Sequence, residues 1–241
     1  MAIPPLAARF YYSAPSPCPY LQGKVERRIF ADLSGPQAAI GYDLLSEAGF
    51  RRSLGFAYRP ACPGCNACVP VRIPAHGFED RRAWRRVRAR NADLTLAIRP
   101  ARATLAQYAL FARYQKARHA DGDMARMDFC DYRTMVEVGT IDSRILEMRA
   151  ADGTLICVCL CDYLGRGISA VYNFFDPDQP GRGLGTFAIL WLIDEAQRTG
   201  LDHVYLGFWI AESDKMAYKA RFRPLEGLTA EGWQLLPDER A

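Results

Sequence analysis

The chain has 241 residues, of which half are hydrophobic and 24% are charged. That composition excludes disorder as the main state and allows one large domain or two small ones. No apolar run of about 18 residues reads as a membrane-spanning helix. Met1–Phe10 lacks the basic and apolar regions of a secretory signal, so a cytoplasmic location is expected. The net charge of +4 hides an asymmetry. Residues 1–120 hold 19 Lys+Arg and 7 Asp+Glu, a net of +12, whereas residues 121–241 hold 12 and 20, a net of −8. The first half would favour a polyanion.

In chain order, the first twenty residues are Pro-rich and irregular. Val25–Phe30 alternates like a short strand. Ser34 with Gln37 reads as a capping box for a helix to Ala48 that Gly49 stops. Phe50–Tyr58 reads as a strand, broken by Pro60-Ala61-Cys62-Pro63-Gly64, and Val69–Ile73 as another. Residues 81–90 are basic, and Leu94–Ile98 reads as extended. Thr104 opens a helix to about His119, and Asp128 caps one ending near Gly139.

The second half has a clearer order. Arg144–Arg149, Thr154–Asp162 and Ile168–Phe175 read as strands, the first two joined by the hairpin signal Ala151-Asp152-Gly153. A helix follows over 183–198 and stops at Gly200. His203–Trp209 is a strand and Ser213–Phe222 a last helix. This β-β-β-α-β-α order resembles the core of the GCN5-related N-acetyltransferase (GNAT) fold. In that fold a glycine turn at a helix N-terminus cradles a pyrophosphate. Here the candidate turn is Arg182-Gly183-Leu184-Gly185-Thr186-Phe187. Phe187 stands where that pattern has a small residue, and its side chain would crowd the phosphates. The other reading of the turn is a plain loop-to-helix entry.

Arg81, Arg82, Arg85, Arg86, Arg88 and Arg90 lie within ten residues. On a helix, Arg81, Arg85 and Arg88 share one face and Arg82, Arg86 and Arg90 an adjacent one. No acidic residue within the run offsets their repulsion, and guanidinium groups bind phosphates bidentately. The run reads as an RNA-binding surface, the alternative being a solvated charged helix.

Eight cysteines without a secretory signal read as thiols or metal ligands. Cys157, Cys159 and Cys161 alternate along a strand and share one face, as core residues would. Cys62, Cys65 and Cys68 form a C-x2-C-x2-C cluster. With Cys18 they supply the four thiols of a zinc site or an iron–sulfur cluster. Reduced surface thiols are the other reading. His76, His119 and His203 show no metal-ligand spacing, and no nucleophile elbow or Walker loop is present.

Several blocks together resemble a known family. They are Cys18-Pro19-Tyr20-Leu21 through Arg28; Gly49-Phe50-Arg51-Arg52-Ser53; Tyr58-Arg59-Pro60-Ala61-Cys62 to Ile73; Val171-Tyr172-Asn173-Phe174-Phe175-Asp176-Pro177; Arg182–Thr186; Val204–Ile210; and Lys215-Met216-Ala217-Tyr218-Lys219 to Pro224. In this order they resemble the arginyl-tRNA–protein transferase family, in its short bacterial branch of aspartate/glutamate leucyltransferases. The longer eukaryotic relatives carry a Cys-x-x-Cys and a later Cys-Cys pair. Here Leu21 replaces one of those cysteines and Ala67-Cys68 stands at the later pair, so the iron–sulfur ligand set they imply is incomplete.

The resemblance implies an α+β fold: an N-terminal mixed region with a Cys-rich loop, 1–139, packed on a GNAT-like domain, 140–241. It implies an enzyme that moves leucine from leucyl-tRNA to the α-amine of proteins beginning with Asp or Glu, marking them for degradation. Aminoacyl-tRNA is the co-substrate, no resident cofactor is required, and a monomer is expected. An activated ester needs alignment with the amine, help with deprotonation and a stabilised oxyanion, but no strong nucleophile.

Asp176 or Glu212 is the expected base, with Tyr218 as a hydrogen-bond donor. Tyr172, Phe174, Tyr205 and Trp209 are candidates to stack on the terminal adenosine. Lys215, Lys219 or Arg182 would hold the acceptor carboxylate. The basic run 81–90 would meet tRNA phosphates. The rival readings are arginine as donor, an acetyl-CoA-dependent N-acetyltransferase, and a non-enzymatic metal- and RNA-binding protein.

Overall fold

A computed structural model describes residues 9–137 and 139–237. The sequence reading of residues 1–8 lies outside them. The N-terminal part gives β1 (Phe10–Tyr12), β2 (Ser16–Pro17), β3 (Val25–Glu26), β4 (Arg28–Asp32), α1 (Ala38–Glu47), β5 (Arg51–Ser53) and β6 (Phe56–Pro60). Then come β7 (Val69–Pro74), α2 (Arg82–Arg90), β8 (Thr95–Pro100), α3 (Leu105–Arg118) and α4 (Phe129–Val136). The remainder is β9 (Ser143–Arg149), β10 (Leu155–Tyr163), β11 (Gly167–Phe175), α5 (Leu184–Thr199), β12 (His203–Trp209), α6 (Asp214–Ala217), β13 (Glu226–Thr229) and β14 (Gly232–Leu235).

The fold is α+β, and its central β-β-β-α-β run, β9 to β12, follows the GNAT-like order. An eight-stranded sheet runs β14-β13-β7-β12-β11-β10-β9-β8, and a smaller one runs β1-β4-β6-β5. The division expected at 139/140 falls inside one continuous sheet. β7 fills the place between β12 and β13, and β8 pairs with β9, so strands from before residue 140 complete the sheet. Backbone pairing, and not chain order, decides membership.

The period-2 pattern of β10 divides the core. Cys157, Cys159 and Cys161 face a cluster beneath α5 and α2, while Val158 and Leu160 face one beneath α3 and α4. All three cysteines are buried, as core residues would be.

Helix entry follows local chemistry at Thr104 and Asp128, which both form complete capping boxes. Ser34 does not cap α1. Its N–H and hydroxyl bond to Asp32, and the helix starts at Ala38 without a side-chain cap. The expected strand 50–58 is a hairpin, because Leu54-Gly55 turns the chain between β5 and β6. The last helix is only α6 followed by a 3-10 turn at Tyr218–Arg221.

Among the described residues, one ion pair joins the two sheets. Arg52 on β5 donates to Asp162 on β10 through Nε at 2.6 Å and Nη2 at 2.8 Å. Both side chains are fully buried. Ser143 donates to the same carboxylate at 2.6 Å. Removing one partner strands a buried charge. Arg52→Met should therefore cost about 3–5 kcal/mol in urea unfolding. Arg52→Met combined with Asp162→Leu should recover most of that loss. Additive losses in the two variants would contradict this account.

Candidate active site

β11 and β12 run parallel for only three residue pairs, Gly167–Ser169 with His203–Tyr205. Beyond them no pairing joins the two strands, and a crevice opens. Each strand carries an irregularity there. Val171 is skipped in the pairing of β11 with β10, and Leu206 in the pairing of β12 with β7. Bulges of this kind end pairing and re-aim side chains beside functional sites.

Backbone groups freed in this way need partners. The Val171 carbonyl accepts from Arg51 Nη2, and the Phe208 carbonyl accepts from Lys219 Nζ at 2.5 Å. Gly207, at φ +73°, makes room. A Cβ there would lie 3.0 Å from the Arg51 side chain. Thus β5 and the turn after α6 each send one basic side chain to an opposite wall of the crevice.

The charge of Arg51 is felt by Tyr20, Tyr172, Tyr218 and Lys219. Lys219 is 3% exposed. Burial, and then the positive charge of Arg51, pushes its pKa down to about 7. The Tyr172 hydroxyl accepts from Gln115 Nε2 at 2.6 Å, and burial pushes its pKa up to about 12. Burial also raises the phenol of Tyr218, whose ring is partly exposed. Among the described residues, no carboxylate lies within ion-pair distance of Arg51 or Lys219.

The structure brings together Tyr172, Tyr218 and Lys219 of the expected site. Lys215 lies at the rim, where its charge, after burial, helps to lower the pKa of His119. Trp209 ends β12, with its indole N–H buried and unpartnered.

Other expected residues lie elsewhere. The Asp176 carboxylate is engaged by Arg113 at 2.8 Å, the Asp178 N–H and Gln179, so it organises a loop and is not a free base. Glu212 is exposed in the loop after β12. Phe174 is 1% exposed and packs on Phe111 and Tyr132, so it has no free face for a base. Tyr205 is in a separate core cluster with α1, and its hydroxyl bonds to Glu47.

Arg182 pairs with Asp93 and donates to Asn91 at 3.0 Å, so its charge is already matched. Phe187 does not obstruct the turn, contrary to expectation. It is buried in the core beneath α5. Its identity therefore says nothing against a phosphate there.

Arg51 stands in one of the family-like sequence blocks, where its residue type alone assigns it no role. A signal for it exists. Consecutive arginines on a strand point to opposite faces, so one of the two is directed inward wherever the strand is covered. Gln115 carried no signal, because its partner is 57 residues away.

α2 lies along α5. Trp84 stacks on Phe222 with ring centroids 4.8 Å apart, and Val87 is buried. Arg81, Arg82, Arg85, Arg86 and Arg90 are exposed. Arg88 is not free, because it pairs with Asp194 and Asp80. Arg90 and Asn91 donate to the carbonyls of Gly181 and Arg182 at 2.7 and 2.9 Å. The basic helix is thereby tied to the turn before α5.

The thiols of Cys18, Cys62 and Cys65 all bear on Cys68, whose pKa is pushed up to about 11, mainly by burial and then by those neighbours. The Leu21 and Arg27 N–H groups point at Cys18 and Cys62 sulfur at 3.4 Å. The four are neighbours but do not converge. Among the described residues, no group of three or more His, Cys, Asp or Glu is placed to hold a metal ion. The expected zinc or iron–sulfur ligand set does not fit as arranged, and no chemical step is derived from it.

No helix among the described residues is long and apolar enough to cross a membrane. In a comparison of folds, this chain is similar to the structure of L-PGS from Bacillus licheniformis, with a TM-score of 0.51 at 11% identity. The match covers 82% of this chain and 65% of that one. This likeness concerns the fold alone. The chain is 54% identical over 96% of its length to the aspartate/glutamate leucyltransferase of Rhodospirillum rubrum, covering 94% of that protein. It is 53% identical over 93% of its length to that of Paramagnetospirillum magneticum, covering 92% of it. Residues 16–86 match the family described as arginine-tRNA-protein transferase, N terminus, and residues 106–229 match its C terminus. With both halves matched in order around the crevice, the chain belongs to the arginine-tRNA-protein transferase family.

Proposed function

We propose that this enzyme transfers leucine from leucyl-tRNA to the N-terminal α-amine of proteins that begin with Asp or Glu. The single observation that carries this reading is Arg51: a permanent cation, in a strand crevice, with no carboxylate partner among the described residues. An acidic side chain is the ligand that such a site lacks. The names of the relatives at about half identity point the same way.

In this reading the acceptor carboxylate sits on Arg51, and its amine lies between the two strands. Tyr172 and Tyr218 line the path of the ester. The terminal adenosine stacks beside Tyr218 or Trp209. Arg81, Arg82, Arg85, Arg86 and Arg90 meet the phosphates of the tRNA, while Arg88 secures α2 to α5. The enzyme acts in the cytoplasm as a monomer, needs no resident metal, and leaves its acceptor with a leading leucine that marks it for degradation.

The direct test incubates the protein with leucyl- or arginyl-tRNA and peptides beginning with Asp, Glu or Ala, and weighs the products. Leucine should appear on the Asp and Glu peptides only. Transfer of arginine would change the donor. Acetylation with acetyl-CoA and no gain from either tRNA would overturn the reading.

Two substitutions probe its parts. Arg51→Met should lower kcat/KM for Asp peptides roughly 30-fold or more, as expected for losing about 2 kcal/mol or more from a half-buried charge contact. Arg85→Ala with Arg86→Ala should weaken tRNA binding and reduce the slope of log K against log salt by about 1–2. An unchanged slope would remove these arginines from the RNA surface.

A further inference from the structure

The acceptor arrives mostly as an ammonium, since an α-amine has a pKa of about 7.7–8.0. Some group must take its proton, and neither Asp176 nor Glu212 is placed to do so. Lys219 is. Its nitrogen is held at the β12 wall of the crevice, it is almost fully buried, and it lies close enough to Arg51 to feel its charge.

Its single hydrogen bond is decisive. Nζ donates one N–H to the Phe208 carbonyl and has no other partner among the described residues. An ammonium there would leave two donors unmatched beside another cation. A neutral amine leaves only one donor unmatched, carries no charge beside Arg51, and has a lone pair open. The other groups near it are Tyr218, whose ring centre is 6.0 Å from Nζ, and Arg51. Neither supplies a negative charge at neutral pH.

We propose that Lys219 is the catalytic base, taking a proton from the acceptor's α-ammonium while the acceptor's carboxylate is held by Arg51. This rests on the transfer reaction proposed above. Neutral Lys219 accepts one proton, and the freed amine attacks the ester carbonyl carbon. A C–N bond forms and the bond to the ribose 3′-oxygen breaks. Of the two protons left on the attacking nitrogen, one passes to that oxygen, giving the ribose hydroxyl, and the other stays on the new amide. Lys219 releases its proton to water after the product leaves, so one proton is liberated per transfer. The depressed pKa of about 7 fits this duty and leaves a large share of the base unprotonated at neutral pH.

The test uses the full chain with leucyl-tRNA and an Asp peptide across pH 6–9, corrected for ester hydrolysis. Lys219→Met should lower kcat about 100-fold at pH 7, with the KM of the peptide changed less than about threefold. The loss should shrink as pH rises and the peptide amine deprotonates by itself. Lys219→Arg, which keeps a charge but accepts no proton, should be as slow. Thermal melting and tRNA binding check that both variants fold.

In the wild type, kcat/KM should rise through an ionisation near pH 7 that persists whichever acceptor peptide is used. Wild-type kcat in Lys219→Arg would overturn the proposal. So would a raised KM alone in Lys219→Met with loss of the preference for Asp over Asn, which would make Lys219 a second carboxylate holder. A wild-type profile that follows only the peptide amine would overturn it even if the variants failed to fold. A wild type that transfers nothing to any peptide would instead sink the underlying reaction.

Discussion

Two neighbouring arginines on one short strand set the geometry of this protein. Because successive side chains on a strand alternate, β5 cannot send Arg51 and Arg52 the same way. Arg52 locks into Asp162 and fixes the small sheet against β10. Arg51 is then directed into the opening between β11 and β12, where it meets the carbonyl of Val171. A buried pair of this kind adds little net stability, but breaking it is costly. Its value here is register. A one-residue slip of β5 would exchange the two arginines and empty the crevice.

The crevice itself comes from incomplete pairing. Parallel strands β11 and β12 share only three residue pairs, and the unpaired carbonyls beyond are taken by basic side chains from outside the sheet. Arg51 and Lys219 thus satisfy the backbone and at the same time place basic groups at a site that water reaches poorly. The same economy appears at the basic helix. Trp84 and Val87 bury one side of α2, and Arg88, Arg90 and Asn91 fasten it to α5 and the preceding turn. The remaining arginines face outward. A surface able to meet a polyanion is therefore mechanically continuous with the loop beside the crevice.

Much of this was legible in the chain. The capping boxes at Thr104 and Asp128, the stops at Gly49 and Gly200, and the alternation of Cys157, Cys159 and Cys161 follow from local chemistry, and the structure realises them. The basic run forms the helix its spacing suggests. Tyr172, Tyr218 and Lys219 were found through the blocks that carry the family likeness. What misled was chemical type without surroundings. Asp176 looked like a base, yet Arg113 from a distant helix occupies it. Arg182 looked like a free cation, yet Asp93 and Asn91 hold it. Phe174 and Tyr205 looked like stacking platforms, yet both are packed in cores. Phe187 looked obstructive because a side chain's direction at a helix start depends on the sheet beneath it.

The sequence by itself determined the strand and helix order from β9 to α6, the polarity of charge along the chain, and the family. These depend on periodicity, capping and composition, which act over a few residues or sum over many. Only the tertiary structure decided where the sheet ends, since β7 and β8 join it by pairing with strands far along the chain. It alone decided which basic residues remain without a carboxylate partner. At these positions charge compensation is settled by neighbours 110 and 89 residues away, Arg52 with Asp162 and Arg182 with Asp93. No local pattern encodes those distances.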